Sequence, residues 1–217
     1  MNVSDAVTQR KSIRNFLDTP VSNAELQGLL EKAARAPSGG NLQPWQIYVV
    51  NGERTTDLQN HLAAQTEREQ PAYDIYPANL GEPYRSRRFK VGEDMYALLG
   101  IPRDDKPARF AHLARNFAFF GAPAGFFCYV DRNMGPPQWS DLGMFLQTFM
   151  LLAEEFGLAT CAQEAWATRP QAVTSFVGAP ETQMLFCGMA VGYANPDAKV
   201  NRLVSDRDPF SAWAQFV

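Results

Sequence analysis

The order of strand-like and helix-like segments is the sequence feature that most constrains the fold. Apolar runs typical of strands occur at 46–50, 126–130, 158–161 and 183–192, and helical patterns lie between them without a regular strand–helix–strand rhythm. A doubly wound parallel sheet requires that rhythm, so the pattern favours an α+β fold. The run at 46–50 is expected to be a buried strand.

Helical signals define the rest of the chain. The second helix is expected to begin at a cap, Ser22 or Asn23, with Glu25 in its first turn. The sixth is apolar on nearly all sides, with a capping Ser140 and a terminating Gly157, and is predicted to be the central buried helix. The predicted helices are 2–10, 23–36, 54–65, 91–99, 105–118, 140–156 and 168–176.

Composition indicates an ordinary globular chain. Its 217 residues are 46% hydrophobic and 20% charged, which is enough for one domain, 1–217, with a real core. No run of about 18 apolar residues and no basic-then-apolar leader is present, so we expect a cytoplasmic protein without a membrane partner. The three cysteines, Cys128, Cys161 and Cys187, lie in apolar contexts and are expected to be buried thiols.

Several classes of function are disfavoured by charge and by histidine content. A formal net charge of −3 argues against nucleic-acid binding, which demands a distributed positive surface. The two histidines, His61 and His112, stand without a second candidate ligand, which argues against a zinc site and against a histidine-centred triad. We therefore expect no metal.

Two short motifs point to a phosphate-bearing ligand. Arg10, Lys11, Ser12 and Arg14 form a local basic run, and the turn at 37–41 contains two successive glycines that let backbone N–H groups approach a ligand. No dinucleotide fingerprint or P-loop is present, so side chains would have to hold the phosphate. On spacing alone, a solvated helix end is the favoured interpretation of the basic run.

Two segments differ from the rest of the chain. The segment at about 69–105 is rich in proline, tyrosine and charge, and we expect a lid or specificity insert there. The tail carries Phe210, Trp213 and Phe216, which need to be covered either by a partner subunit or by the chain's own body.

Four separated motifs resemble those of one enzyme family, the FMN-dependent nitroreductases. They are Arg10–Arg14, Ala36–Trp45, Gly188–Tyr193 and Arg207–Pro209. The resemblance implies a nitroreductase-like α+β fold with a central, mainly antiparallel sheet flanked by helices. It also implies a homodimer with FMN at the interface, in which the tail at about 195–217 is exchanged between subunits.

The middle of the chain looks most like the branch that includes nitrobenzene and nitrobenzoate reductases. The segments that carry this likeness are Pro83–Arg88, Asn116–Pro123 and Cys161–Trp166. The branch implies an oxidoreductase in which NADH or NADPH gives a hydride to flavin N5 and a nitroaromatic acceptor then takes the electrons in a ping-pong cycle. The acceptor would pass from nitro to nitroso to hydroxylamine.

The resemblance also assigns the phosphate site. It implies that Arg10, Lys11 and Ser12, joined by Arg207 from the tail, hold the FMN phosphate. Arg14 matches the basic position beside the flavin pyrimidine ring, where a fixed cation favours negative charge on the ring.

Further positions match the family's contacts to the flavin ring. The loop residues Pro37, Ser38, Gly39 and Asn41 match the segment that reaches the flavin from the other subunit. Near N5 the family places backbone N–H groups, and the matching residues here are Gln163, Glu164 and Ala165. No catalytic side chain is expected, because the chemistry takes place on the flavin.

Aromatic side chains are the expected walls of the acceptor pocket, because they stack on an aromatic ring. The candidates are Tyr84, Phe119, Phe120 and Trp166, with Tyr76, Phe89 and Tyr96 as further possibilities in the insert.

Two other functions stay open at this point. One is a reductive dehalogenase similar to the iodotyrosine deiodinases, for which Glu82, Tyr84 and Lys90 are available but without matching spacing. The other is a flavin-binding protein without reductase activity.

Overall fold

The computed structural model describes residues 1–217, which form seven α-helices and one four-stranded sheet. The helices are α1 (Val3–Gln9), α2 (Asn23–Ala33), α3 (Glu53–Ala64), α4 (Tyr84–Leu99), α5 (Lys106–Ala114), α6 (Pro136–Glu155) and α7 (Pro170–Val177). The strands are β1 (Gln46–Asn51), β2 (Ala124–Asp131), β3 (Ala159–Gln163) and β4 (Gln183–Gly192).

The sheet confirms the predicted α+β class. Its strand order is β1-β2-β4-β3, and all three pairings are antiparallel. The two long central strands, β2 and β4, are buried along almost their whole length. The sheet is therefore covered on both faces.

Alternating residues of β2 pack into two separate hydrophobic clusters, one on each face of the sheet. Phe126 and Cys128 pack in a cluster with residues of α2 and α6, whereas Phe127 and Tyr129 pack in a cluster with α3, α7 and Trp166. Successive side chains of a strand point to opposite faces, so one apolar run can serve both layers. This explains why the run at 126–130 is continuously apolar.

The expectation that the strand at 46–50 is buried is wrong. β1 pairs only with β2 and forms one edge of the sheet, where Val50 is buried but Val49 is 43% exposed. A short apolar run does not reveal whether a strand has one neighbour or two.

Helix signals that depend on neighbouring residues are confirmed in part. Ser22 Oγ accepts from the Glu25 amide at 3.2 Å, and the Glu25 carboxylate accepts from the Ser22 amide at 2.9 Å, which completes a capping box for α2. Gly157 follows α6 with φ 72°, a left-handed conformation that glycine adopts without strain.

The predicted start of the sixth helix is wrong. α6 begins at Pro136, and Ser140 lies within it, where its hydroxyl donates to the Pro137 carbonyl at 2.6 Å. Proline in the first turn starts a helix because its missing N–H is not needed there. The helix buries one face, which includes Phe145 and Phe149, whereas Met144 is exposed.

The predicted insert at 69–105 divides into two parts. Its first residues are fixed to the body of the protein, because the Glu69 carboxylate lies 2.9 Å from Arg169 Nε and the Ala72 amide donates to the Ala167 carbonyl at 2.8 Å. Its helix, α4, starts at Tyr84 rather than at Val91. Residues 81–90 are exposed, and Arg87 and Lys90 pair with Asp208 and Asp206 of the tail.

The thiols of Cys128, Cys161 and Cys187 are free and buried, as predicted. Burial raises the pKa of the Cys161 thiol to about 11 and that of Cys187 to about 12, so neither is a thiolate at neutral pH. None of the helices combines the length and hydropathy needed to cross a membrane. No cluster of three or more potential metal ligands is present.

Candidate functional site

The basic run lies along an edge of the sheet. α1 ends at Gln9, and the chain then runs parallel to β3, where the Ile13 amide donates to the Thr160 carbonyl at 2.9 Å and Ser12 bridges Thr160. Arg10 thus caps the end of α1, and the rest of the run is extended along the sheet. Because the run is parallel to β3, Arg14 lies beside the end of that strand.

A cleft of about 590 Å³ brings the tail to this run. Arg10, Lys11, Ser12 and Arg14 line one side, and Arg207 lines the other. None of the four cationic side chains makes an ion pair with a carboxylate, whereas Arg85, Arg87 and Lys90 of α4 all do. Cations without counter-ions beside a hydroxyl are the donors that bind a phosphate. The donor set therefore fits the phosphate of FMN.

The loop that follows α2 has a fixed and unusual backbone. Gly40, Asn41 and Gln43 have φ of 57°, 58° and 49°, in the left-handed region that glycine and asparagine tolerate best. The Gly39 amide donates to the carboxylate of the buried Asp141 at 3.2 Å, and the Ser38 hydroxyl accepts from the Gln43 amide at 3.0 Å. The conformation is thus set by contacts with the body of the protein.

Within one protomer, this loop is separate from the basic cleft. None of the loop residues Pro37, Ser38, Gly39 and Asn41 lines the cleft, which meets α6 at Gln147 instead. The structure thus brings the predicted phosphate residues together and leaves the predicted loop residues exposed elsewhere on the surface.

The third predicted group lies where β3 ends. The Gln163 side chain is buried, and its amide donates to the Asn116 carbonyl at 2.9 Å while its oxygen accepts from Trp166 Nε1 at 3.2 Å. The Gln163 side chain is therefore structural, because it joins Asn116 and Trp166 inside the protein. Glu164 and Ala165 begin the 3-10 turn that follows, and burial raises the pKa of the Glu164 carboxyl.

The structure buries three of the four candidate pocket aromatics. Phe119, Phe120 and Trp166 are at most 2% exposed, and Trp166 packs edge-to-face against Phe127 with ring centroids 4.9 Å apart. Of the three, Phe120 borders a small cavity next to Arg14, whereas Phe119 and Trp166 pack in the core. Tyr84, at the start of α4, is 61% exposed and is the candidate that the structure leaves available.

Two of the three side chains required for a deiodinase-like lid, Glu82 and Lys90, are engaged in ion pairs. The Glu82 carboxylate accepts from Arg85 at 2.8 Å, and the Lys90 ammonium lies 2.6 Å from Asp94 and 2.9 Å from Asp206. No observation favours this alternative.

A second, smaller cavity was not anticipated from the sequence. It measures about 160 Å³ and is bordered by Arg14, His112, Asn116 and Ala162, so it meets the basic cleft at Arg14. The sequence suggests no ligand role for His112, and no spacing in the sequence connects it to Arg14. Only the fold of α5 against the sheet edge brings the two together.

Comparison with known proteins agrees with these features. Residues 7–193 match the model of the nitroreductase family. A 4-nitrobenzoate reductase of Pseudomonas putida is 36% identical over 212 residues, which cover 97% of this chain and 93% of the relative.

Solved structures extend the likeness to the whole fold. The FMN and NADPH-dependent nitroreductase NfnB of Sphingopyxis sp. strain HMH is 48% identical, with a TM-score of 0.96 over 100% of this chain and 99% of that one. The FMN-dependent nitroreductase NfnB of Mycobacterium smegmatis, solved with NADPH, is 27% identical, with a TM-score of 0.92 and full coverage of both chains. The chain therefore belongs to the nitroreductase family.

Proposed function

We propose that this protein is an FMN-dependent nitroreductase that uses NADPH or NADH to reduce a nitroaromatic compound. The observation that carries the proposal is the cleft in which Arg10, Lys11, Arg14 and Arg207 converge without carboxylate partners. Family membership and the FMN and NADPH dependence printed for the Sphingopyxis relative support the same cofactors here.

The side chains of the cleft have separate roles in this proposal. Arg10, Lys11, Ser12 and Arg207 hold the FMN phosphate, and Arg14 lies by the pyrimidine ring. Each charge-assisted hydrogen bond to the phosphate contributes about 1.5–3 kcal/mol to binding. The cofactor supplies hydride chemistry when bound, while the protein binds it, orients it and limits the access of water.

We further propose that NAD(P)H and the acceptor use the same side of the site in turn. Each two-electron step then consumes one NAD(P)H and one proton from solvent: the nitro group becomes nitroso with release of water, and the nitroso group becomes hydroxylamine, without an acid, base or nucleophile from the protein. The thiol nearest the site agrees with this proposal, because Cys161 borders the small cavity with its pKa raised to about 11. Such a thiol is not a nucleophile at neutral pH.

A homodimer with exchanged tails belongs to the proposal. Phe210, Trp213 and Phe216 are all at least half exposed, so the protomer leaves the tail's aromatic rings uncovered. The outer edge of β1 also has no partner strand, and natural proteins normally protect such edges. A second subunit would cover both, and would bring its loop at 37–41 to the flavin.

The oligomeric state can be tested directly. Sedimentation equilibrium of the wild type should give twice the chain mass of 24.2 kDa. A Trp213→Ser/Phe216→Ser double variant should dissociate at micromolar concentration and lose FMN in parallel. A monomeric wild type that retains FMN would contradict the two-subunit site.

The reaction itself is tested by anaerobic stopped-flow spectroscopy of the purified protein. We expect a yellow protein with one FMN per chain, bleached by NADPH or NADH and reoxidised by 4-nitrobenzoate or nitrobenzene with formation of the hydroxylamine. Arg10→Ala/Arg207→Ala should be colourless, whereas Arg35→Ala, outside the cleft, should behave as the wild type. A wild type that takes up no FMN would refute the proposal, and bound FMN that NAD(P)H does not bleach would indicate a flavin-binding protein without reductase activity.

A further inference from the structure

His112 is buried without a hydrogen-bond partner for one of its ring nitrogens. It lies on α5, is 6% exposed, and packs between Tyr96 and Phe120 with ring centroids 6.2 Å and 5.9 Å away. Its Nε2 has no protein partner. Native proteins rarely leave a buried polar atom unpaired, because the group loses its hydrogen bonds to water. His112 also borders a cavity, so a ligand bound there is a candidate partner for this nitrogen.

The imidazole borders the cavity of about 160 Å³ that meets the basic cleft at Arg14. The same cavity is bordered by Asn116 and, from β3, by Ala162. The cavity is large enough to hold a few water molecules or one edge of a planar heterocycle. Arg14 borders both the cleft and the cavity. A ligand whose phosphate lies in the cleft can therefore extend into the cavity only along Arg14.

The surroundings of His112 keep its ring neutral. Burial, together with the nearby cations of Arg115 and Arg14, lowers the pKa of His112 to about 4. Tyr96 faces the ring from α4 and brings no carboxylate. At neutral pH the imidazole is therefore a single N–H donor that stands beside a guanidinium, an arrangement suited to carbonyl oxygen acceptors.

We infer that His112 is a cofactor-binding residue whose Nε2–H donates to a pyrimidine carbonyl oxygen of FMN, next to Arg14. The inference rests on the proposed function, since it assumes that FMN occupies the cleft. The pyrimidine ring of a flavin presents two carbonyl groups at its edge, and a neutral donor binds one of them without adding a second positive charge beside Arg14.

The chain contains only two histidines, so nuclear magnetic resonance of the imidazole nitrogens can report on His112 alone. His61 is an internal control, because its Nε2 already lies 3.1 Å from the Ala172 carbonyl and 3.0 Å from the Ser175 hydroxyl. Addition of FMN to the flavin-free full-length protein should shift the His112 Nε2–H signal and slow its exchange with water. The His61 signals should stay unchanged.

Two variants provide a second readout, the dissociation constant of FMN measured by quenching of its fluorescence. His112→Phe removes the donor and should weaken binding about threefold to tenfold, as expected for one hydrogen bond. His112→Gln keeps an N–H donor and should stay within about twofold of the wild type.

The outcomes separate this inference from the proposed function. Wild-type protein that binds FMN while the His112 signals do not move, or a His112→Phe variant that binds FMN as tightly as wild type, would overturn the role of His112 alone. Wild-type protein that binds no FMN would overturn the proposed function and this inference with it. Should His112→Phe fail to fold, the wild-type resonance experiment still decides.

Discussion

The substitution Gly188→Ala tests the packing that supports the candidate site. Gly188 lies in β4, opposite Gln163 of β3. A Cβ atom at this position would lie 2.6 Å from Trp166 Nε1 and 3.1 Å from Trp166 Cγ, and closer still to Cδ1. All three separations are shorter than ordinary van der Waals contact, so the indole ring or the strand has to move.

The indole has little freedom to move. Trp166 is completely buried, donates to Gln163 at 3.2 Å, and packs against Phe119 and Phe127 with ring centroids 5.1 Å and 4.9 Å away. Overpacking a well-packed core costs about 1–3 kcal/mol, and the fixed indole places Gly188→Ala at the upper end, about 3 kcal/mol. For a chain of this size, that loss lowers Tm by about 6–12 °C.

Thermal and urea unfolding of Gly188→Ala measure the effect. Gly28→Ala is the matched control, because a Cβ at Gly28 in α2 meets nothing within 4 Å and should stabilise the protein by about 0.5–1 kcal/mol. Trp166→Phe should partly rescue Gly188→Ala, with a coupling energy of about 0.5–3 kcal/mol in a double-mutant cycle. A Gly188→Ala variant as stable as the wild type would refute the reasoning.

Three further changes have defined outcomes. Arg207→Ala should weaken FMN binding by about 1.5–3 kcal/mol, measured by fluorescence quenching, and unchanged affinity would remove Arg207 from the phosphate site. Glu69→Gln should destabilise the protein by about 2–3 kcal/mol in urea, because it leaves Arg169 unpaired and weakens the acceptor for the first amides of α7; Asp57→Asn, in an exposed pair, should change stability by less than about 0.5 kcal/mol. The pKa of His112 is lowered in the folded state from 6.5 to about 4, so the unfolded chain takes up its proton first as the pH falls. Wild-type stability relative to His112→Gln should therefore decline between pH 6.5 and 4 by about 3 kcal/mol, and parallel pH profiles of urea unfolding would contradict the assigned burial.

Features set by neighbouring residues could be predicted from the sequence. The Ser22–Glu25 capping box, the glycine that ends α6 and the bounds of β4 each follow from a few adjacent side chains, and the structure confirms them. The α+β class could also be predicted, because it depends only on the order of helical and strand signals.

Features set by distant residues could not be predicted in the same way. β1 is apolar like β2, and only the strand order shows that it has one neighbour. Trp166 follows directly after the residues assigned to the flavin, yet its side chain turns into the core because Gly188 leaves room for it. His112 and Arg14 are joined only by tertiary packing, so the small cavity left no signal in the sequence.

α6 contacts both parts of the site, since Asp141 holds the loop at Gly39 and Gln147 borders the basic cleft. These two positions are about 9 Å apart along the helix axis, and Phe145 and Phe149 fix the helix to the core. α6 therefore fixes the distance between each protomer's loop and its own cleft. In the proposed dimer, it also fixes the separation of the two flavins. Redesign of the site should therefore leave the buried face of α6 intact.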